Sequence, residues 1–329
     1  MLAAAMLLFL TACTDSASYR VQSGFFSMDT YMEITAYGAA AEAAIASCKD
    51  EICLLESLLS ATDPASDIGR INSSGIAEVS PVTAEIIEYA KEIGEETDGA
   101  LDITVYPVLK AWGFTAEEYH VPDSETLSGL LQRVDFTQIR TEDNTVTVPS
   151  GVQLDLGALA KGYASDKAAG ILREKGVTSA LINLGGNIMT VGSNQKGELW
   201  KIGIRNPFFL DENIGILEVA DKAVVTSGSY ERYFTAEDGK AYHHIIDPAT
   251  GCPAESGLVS VTIIGGSGIM CDALSTALFV MGAEKAEEYH REKGGFDMIL
   301  VTEGGEIIVT EGIADSFTNL TDFPCTLIA

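Results

Sequence analysis

Apolar residues recur at helical spacing between residues 39 and 60, where Ile45, Ile52, Leu55, Leu58 and Leu59 fall near a 3.6-residue period. The spacing predicts a helix there, with further helices over 82–97 and 124–134. A strand-like stretch with partial alternation fills 25–37. The segment "ATDPASDIGRINSSG" is rich in turn formers and reads as a loop. "TDGALDITVYP" reads as a turn entering a short extended piece that Pro107 ends, because proline has no N–H to give. Residues 138–154 read as a hairpin. From Leu154 a strand end passes into an amphipathic helix reaching about Lys175, with Leu159, Tyr163, Ile171 and Leu172 on its apolar side. Strands are expected at 179–184, 199–205, 214–219, 223–227, 242–246 and 258–264. A helix from about Ile269 to Lys293 follows, then a terminal hairpin at 297–309. Strands outnumber helices and seldom alternate with them. The pattern predicts an α+β fold of antiparallel sheets with packed helices rather than a doubly wound one.

The N-terminus changes the picture. "MLAAAMLLFLTAC" is an apolar run shorter than the roughly 20 residues a bilayer span requires, and it reads as a signal-peptide core. Its "LTAC" ending resembles a bacterial lipobox, in which Cys13 is lipidated and becomes the mature N-terminus. No Lys or Arg precedes the run, as in a start that lacks its basic residues. The expected organisation is a leader at 1–13, a polar tether at 14–24 and one domain at 25–329. The expected location is extracytoplasmic, lipid-anchored to a bacterial membrane.

Charge excludes some partners. With 20 basic against 48 acidic residues the net charge is −28. That field repels nucleic acid and anionic membrane surfaces. It also means that a phosphate-bearing ligand needs local cancellation by a metal ion or by helix N-termini. The cysteines after Cys13 are Cys48, Cys53, Cys252, Cys271 and Cys325; they form no CxxC and no zinc spacing, and all five read as small buried hydrophobes.

Four segments could carry chemistry. "LDLGALAKGYASDKAAGIL" places Asp155, Lys161 and otherwise small residues at a helix start, as if cleared for a large ligand. In "GIMCDALSTALFVMG", Asp272 and Thr276 share one helix face. A carboxylate in a first turn reads as a cap as readily as a metal ligand. One carboxylate and one hydroxyl suit Mg²⁺, which keeps waters and takes phosphate oxygens; the backbone carbonyl of Ala158 could complete the set. In "AYHHIIDPATGCP", His243 and His244 point to opposite faces of a strand, so only one can face a site. That histidine could accept a proton from an attacking hydroxyl, or simply bond the turn. In "INLGGNIMTVG" the double glycine either admits a ligand to the backbone or makes a turn. No GxGxxG, P-loop, GxSxG or HExxH pattern is present.

Taken in order, "MDTYMEI", "SDIGRIN", "GALDITVYPVLKAWGF", "LDLGALAKGYASDKAAGIL", "INLGGNI", "VVTSGSYERYF", "HHIIDPATGCP" and "CDALSTALFVMG" resemble the motifs of the ApbE family, the FAD:protein FMN transferases. The resemblance runs from about Met28 to Ala329. It implies an ApbE, T-fold-like architecture that binds FAD with Mg²⁺ and passes FMN to a threonine or serine hydroxyl of an acceptor protein, releasing AMP. It implies that Met28, the Ala100-Leu101-Asp102 turn, Asp155, Lys161 and Ile246 line the FAD site. It also implies that Ala158, Asp272 and Thr276 hold the metal and that His244 is the general base. The implied acceptor is a flavoprotein of an exported or membrane electron-transfer system.

One departure bears on the reaction. Members of the family commonly carry an aromatic residue where this chain has Thr62. Ring stacking is worth roughly 0.5–1.5 kcal/mol beyond burial, so its loss should loosen FAD and open the site to water. Hydrolysis of FAD to FMN and AMP is therefore an alternative. A non-catalytic flavin-binding lipoprotein is another, but the Asp272/Thr276 pair argues against it, since simple binding needs no metal.

Overall fold

The computed structural model describes residues 19–116, 118–237 and 239–329. The expected leader, Cys13 and the tether up to residue 18 lie outside the described residues. The helices are α1 (Ala41–Leu59), α2 (Asp67–Ser74), α3 (Pro81–Glu96), α4 (Tyr106–Trp112), α5 (Ser124–Leu131), α6 (Ala160–Glu174), α7 (Gly268–Met281) and α8 (Ala283–Lys293). The strands are β1 (Arg20–Ser27), β2 (Thr30–Tyr37), β3 (Ile76–Glu78), β4 (Arg140–Glu142), β5 (Thr145–Thr147), β6 (Ala180–Leu184), β7 (Asn187–Val191), β8 (Trp200–Arg205) and β9 (Asn213–Val219). They continue with β10 (Ala223–Gly228), β11 (Tyr233–Thr235), β12 (Ala241–His243), β13 (Leu258–Gly265), β14 (Phe296–Thr302), β15 (Ile307–Thr310), β16 (Phe317–Asn319) and β17 (Cys325–Ile328).

A nine-stranded sheet in the order β1-β2-β6-β7-β10-β13-β14-β15-β17 organises the molecule, antiparallel throughout except for the β15–β17 pair. The fold is thus α+β with antiparallel sheets, as the sequence pattern indicates. Alternation along the central strands feeds two cores. Val225, Ile263, Met298, Leu300 and Ile308 face the helical layer of α1, α6 and α7, whereas Val224, Ile264, Ile299, Val301 and Val309 face the small sheet β16-β9-β8. Burying one face against helices and the other against a second sheet explains why these strands are apolar at nearly every position.

Several elements differ from the sequence expectation for identifiable reasons. The stretch at 25–37 is two strands, because Met28 and Asp29 both take positive φ (48° and 57°) and form a two-residue hairpin turn. β1 begins at Arg20, inside the stretch drawn as a tether. The loop at 61–75 contains α2, whose N-terminus is capped by Ser66 accepting from the Gly69 N–H. Pro107 ends nothing: it lies in the first turn of α4, where a missing N–H costs no helical bond. The single helix drawn over 269–293 is two, broken at Gly282 with φ +82°. The strand expected at 242–246 stops at His243, and only one bridge, Ile246 to Pro253, continues it. β3, β7, β11, β16 and β17 were not expected. Of the five cysteines, Cys48 and Cys271 are buried, Cys252 is half-buried, and Cys53 and Cys325 are exposed, which corrects their reading as uniformly buried; all are free thiols. Among the described residues no helix is long and apolar enough to cross a membrane.

Candidate functional site

The site begins where α6 and α7 cross. A Cβ on Gly162 would lie 2.6 Å from the Asp272 Cβ, and one on Gly268 would lie 2.5 Å from the Gly162 carbonyl oxygen. Only glycine permits the approach, so Gly162 serves helix contact rather than keeping a turn open for ligand. The contact lets each helix start hold the other. Gly162 N–H donates to Asp272 Oδ2 at 2.8 Å. In return Asp166 of α6 accepts from Gly268 N at 2.6 Å, Ile269 N at 3.0 Å and Ser267 Oγ at 3.3 Å at the start of α7. The two helix starts therefore lie side by side, each with a carboxylate on its first-turn N–H groups.

The Gly162–Asp272 bond satisfies the first turn of α6. α6 begins at Ala160 with Leu159 as N-cap, so the Gly162 N–H is one of the first-turn donors that have no partner within the helix. It is spent on Asp272, and the Ala158 carbonyl, which precedes the N-cap Leu159, takes no helical bond. Nearby, Asp155 N donates to Ile103 O at 2.8 Å, and Asp155 Oδ1 accepts from Gly157 N at 2.8 Å. These bonds join the 155–158 turn to the segment carrying Ala100, Leu101 and Asp102.

Electrostatics shows what converges. Burial raises both Asp155 and Asp272 above the ordinary carboxylate range. The Lys161 ammonium opposes the rise in both, and Arg232 opposes it at Asp155. His244 is depressed to about 3, first by burial, then by Arg232, with His243 and Lys161 adding to the effect. Asp155, Asp272 and His244 thus share Lys161 as a neighbour. The structure brings these four predicted residues together although they come from distant parts of the chain.

The two histidines part as the strand geometry requires. His243 Nε2 bonds Ala254 O at 3.2 Å, and its ring meets Phe279 edge-on at 5.5 Å. His244 Nδ1 bonds Arg232 O at 3.2 Å. A carbonyl can only accept, so Nδ1 carries the proton and Nε2 holds the free lone pair. Arg232 Nη2 in turn donates to Phe114 O at 2.9 Å, and Trp112 Nε1 donates to Gly251 O at 2.7 Å, which fastens the histidine loop to α4.

On α7, Ser227 Oγ of β10 lies 2.8 Å from Ser275 Oγ and 3.3 Å from Thr276 Oγ1. Met28 sits at the β1–β2 turn with its N–H on Glu56 Oε1 at 2.8 Å. The double glycine is the β6–β7 hairpin turn, both residues with positive φ, and Gly185 abuts the Thr30 side chain beside Met28. Two predicted residues have side chains committed elsewhere. The Asp102 carboxylate accepts from Thr104 N, Thr104 Oγ1 and Phe136 N, and Ile246 packs with Val108 and Trp112. Either residue can face a ligand only through its backbone.

Sequence reading missed Asn187, Ser227, Arg232 and Tyr106. Tyr106 Oη donates to Ala61 O at 3.2 Å and feels the Asp155 charge, so it links the loop of Thr62 to the site. Asn187 is 2% exposed, and neither its Oδ1 nor its Nδ2 has a hydrogen-bond partner. A buried donor or acceptor left unpaired costs about 1–3 kcal/mol. The tripeptide "GGN" could have flagged it, as a polar residue entering a strand of otherwise apolar character.

The donor set fits a hard cation. A carbonyl at Ala158 ahead of the helix, a buried carboxylate at Asp272 and a hydroxyl at Thr276 are all oxygens, the ligands that magnesium prefers. Among the described residues no group of three or more His, Cys, Asp or Glu is placed to hold a metal.

The family model for the ApbE family matches residues 28–300. An FAD:protein FMN transferase of Klebsiella pneumoniae (strain 342) is 36% identical over 264 residues, covering 78% of this chain and 81% of its own. One of Treponema pallidum (strain Nichols) is 35% identical over 283 residues, covering 79% and 77%. Among solved structures, the ApbE protein of Thermotoga maritima MSB8 superposes with a TM-score of 0.85 at 32% identity, covering 91% of this chain and 99% of that one. The flavin transferase ApbE from Vibrio cholerae gives 0.80 at 27%, covering 91% and 99%. On the extent of these matches, the chain belongs to the ApbE family.

Proposed function

We propose that this enzyme transfers FMN from FAD to a threonine or serine hydroxyl of an acceptor protein, with Mg²⁺ at the diphosphate and AMP as the leaving group. The observation that carries the reading is the Gly162 N–H bonded to Asp272, which fixes the start of α6, just after Ala158, against that carboxylate. Ala158 O, Asp272 and Thr276 would hold the cation. When bound, it would withdraw charge from the diphosphate and stabilise the departing AMP.

The chain's own residues supply the rest. The N–H groups at the start of α7 are bonded to Asp166 and Ser267, so the positive charge for the phosphates, in a protein whose overall charge opposes them, would come from the cation, Lys161 and Arg232. Lys161 and Arg232 add local positive charge around Asp155. His244 presents Nε2 as an acceptor for the proton of the attacking hydroxyl. It is a weak base in the free protein, and an anionic ligand beside it would raise its basicity. Met28 and the 100–102 turn would contact the flavin nucleotide.

A second reading, Mg²⁺-dependent FAD hydrolysis, is favoured by one feature. Thr62 is exposed and its hydroxyl is engaged with Ser60 at 3.1 Å, so no ring from that position can cover the cofactor. We also propose that Cys13 is the lipidated N-terminus and that the enzyme works outside the cytoplasm on an exported or membrane electron-transfer flavoprotein; the "LTAC" leader supports this.

Incubation with FAD and Mg²⁺, with and without an acceptor, separates the readings. Flavin fluorescence retained on denatured acceptor marks transfer. Free FMN and AMP without acceptor mark hydrolysis. Neither product, or turnover indifferent to a chelator, would remove the proposal.

A further inference from the structure

We infer that Asn187 is a positioning residue of the cation site, its carboxamide holding the Asp272 carboxylate toward the metal. The inference rests on the cation reading above. Among the described residues, no other side chain leaves two buried polar atoms without partners. A buried carboxamide with four unused hydrogen-bonding positions implies a partner that binds there.

The surroundings name that partner. Asn187 opens β7 directly after the Gly185–Gly186 turn and pairs with Leu184 across the hairpin. Gly185 is pressed against Thr30 and Gly186 N–H is tied to Asn183 Oδ1 at 2.8 Å, so the turn cannot swing the amide to solvent. β7 packs beneath α6 and α7. Asn187 shares its strand face with Met189, which packs in the helical core, so its amide faces α6 and α7 on the side that carries Asp272. Asp272 Oδ2 is already bonded to Gly162 N–H. With that oxygen fixed, an amide N–H on the carboxylate sets the rotation of the group, and the amide oxygen remains to accept from a water on the cation. Metal-ligating side chains are commonly oriented by such outer partners. An amide does this without titrating, so the hold is independent of pH.

The test uses the whole protein free of FAD, titrated with Mg²⁺ alone and read by calorimetry and by the midpoint of thermal unfolding. In Asn187→Leu the metal-free protein should unfold at the parent's temperature or above, since an unpaired amide is gone. Its Mg²⁺ affinity should fall at least tenfold, and FAD turnover should recover to the parent's level at saturating Mg²⁺. If leucine does not fold, Asn187→Ala is read the same way. Parent-like Mg²⁺ affinity in the variant would overturn the inference, as would a lower metal-free midpoint with affinity unchanged or turnover that no Mg²⁺ concentration restores. If the parent itself shows no Mg²⁺ binding, the cation reading fails, and this inference with it. Asp272→Asn, run in parallel, tells the two failures apart: only there should the Mg²⁺ response vanish altogether.

Discussion

Gly162 and Gly268 stand face to face where α6 meets α7, each occupying space that a methyl group on the other would need. The pair sets the distance at which Gly162 N–H reaches Asp272. Gly162→Ala should therefore lower stability by about 1–3 kcal/mol, the usual cost of overpacking. It should also weaken Mg²⁺ binding, because the helix starts separate. Gly170 lies in the same helix with open space around it. Gly170→Ala should stabilise by roughly 0.5–1 kcal/mol and leave Mg²⁺ binding unchanged. Thermal unfolding with and without Mg²⁺ checks both.

Asp272 is buried and its carboxyl is raised chiefly by that burial. The unfolded chain releases this proton first as pH rises, so metal-free stability falls from the ordinary carboxylate value up through the raised native one. Asp272→Asn removes that loss. The variant should be at least as stable as the metal-free parent at neutral pH, while FAD turnover drops to background. A variant that turns over at the parent's rate would remove the metal assignment.

His244 has the opposite sign. Its native value of about 3 lies below the ordinary 6.5, so the unfolded chain binds the proton first as pH falls. The stability it contributes is complete above about 6.5 and is lost as pH drops toward 3. Unfolding midpoints of His244→Gln should fall less than the parent's across that window. Loss of a general base should cost about 10²–10⁴-fold in turnover with Mg²⁺ binding preserved.

Thr62→Tyr restores a ring at the loop that Tyr106 ties to the site. Stacking of about 0.5–1.5 kcal/mol corresponds to a KM for FAD lower by about 2- to 12-fold. AMP released without acceptor should fall relative to AMP released with it. An unchanged ratio would detach the loop from the choice between protein and water.

The ladder of strands was legible because alternation is a property of the strand itself, and the helical period over 39–60 is a property of α1. Asp155, Lys161, Asp272 and His244 were legible as candidates through their segments, and the fold makes them neighbours. What stayed hidden depends on partners. Gly162 looked like clearance until Gly268 stood opposite. Pro107 reads the same whether it closes a strand or opens α4. Asn187 is an ordinary turn residue until its amide is found sealed beneath two helices. Asp102 looked like a ligand residue, and its carboxylate proved to be spent on Thr104 and Phe136.

The bond from Gly162 to Asp272 joins residues 110 positions apart, and the sheet beneath the two helices draws its edge strand, β17, from Cys325–Ile328. A polypeptide emerging from its amino end thus carries an unfinished nucleotide site through most of its synthesis. Competence arrives late and all at once, so a chain cut short before residue 272 could neither sequester flavin nor spend it.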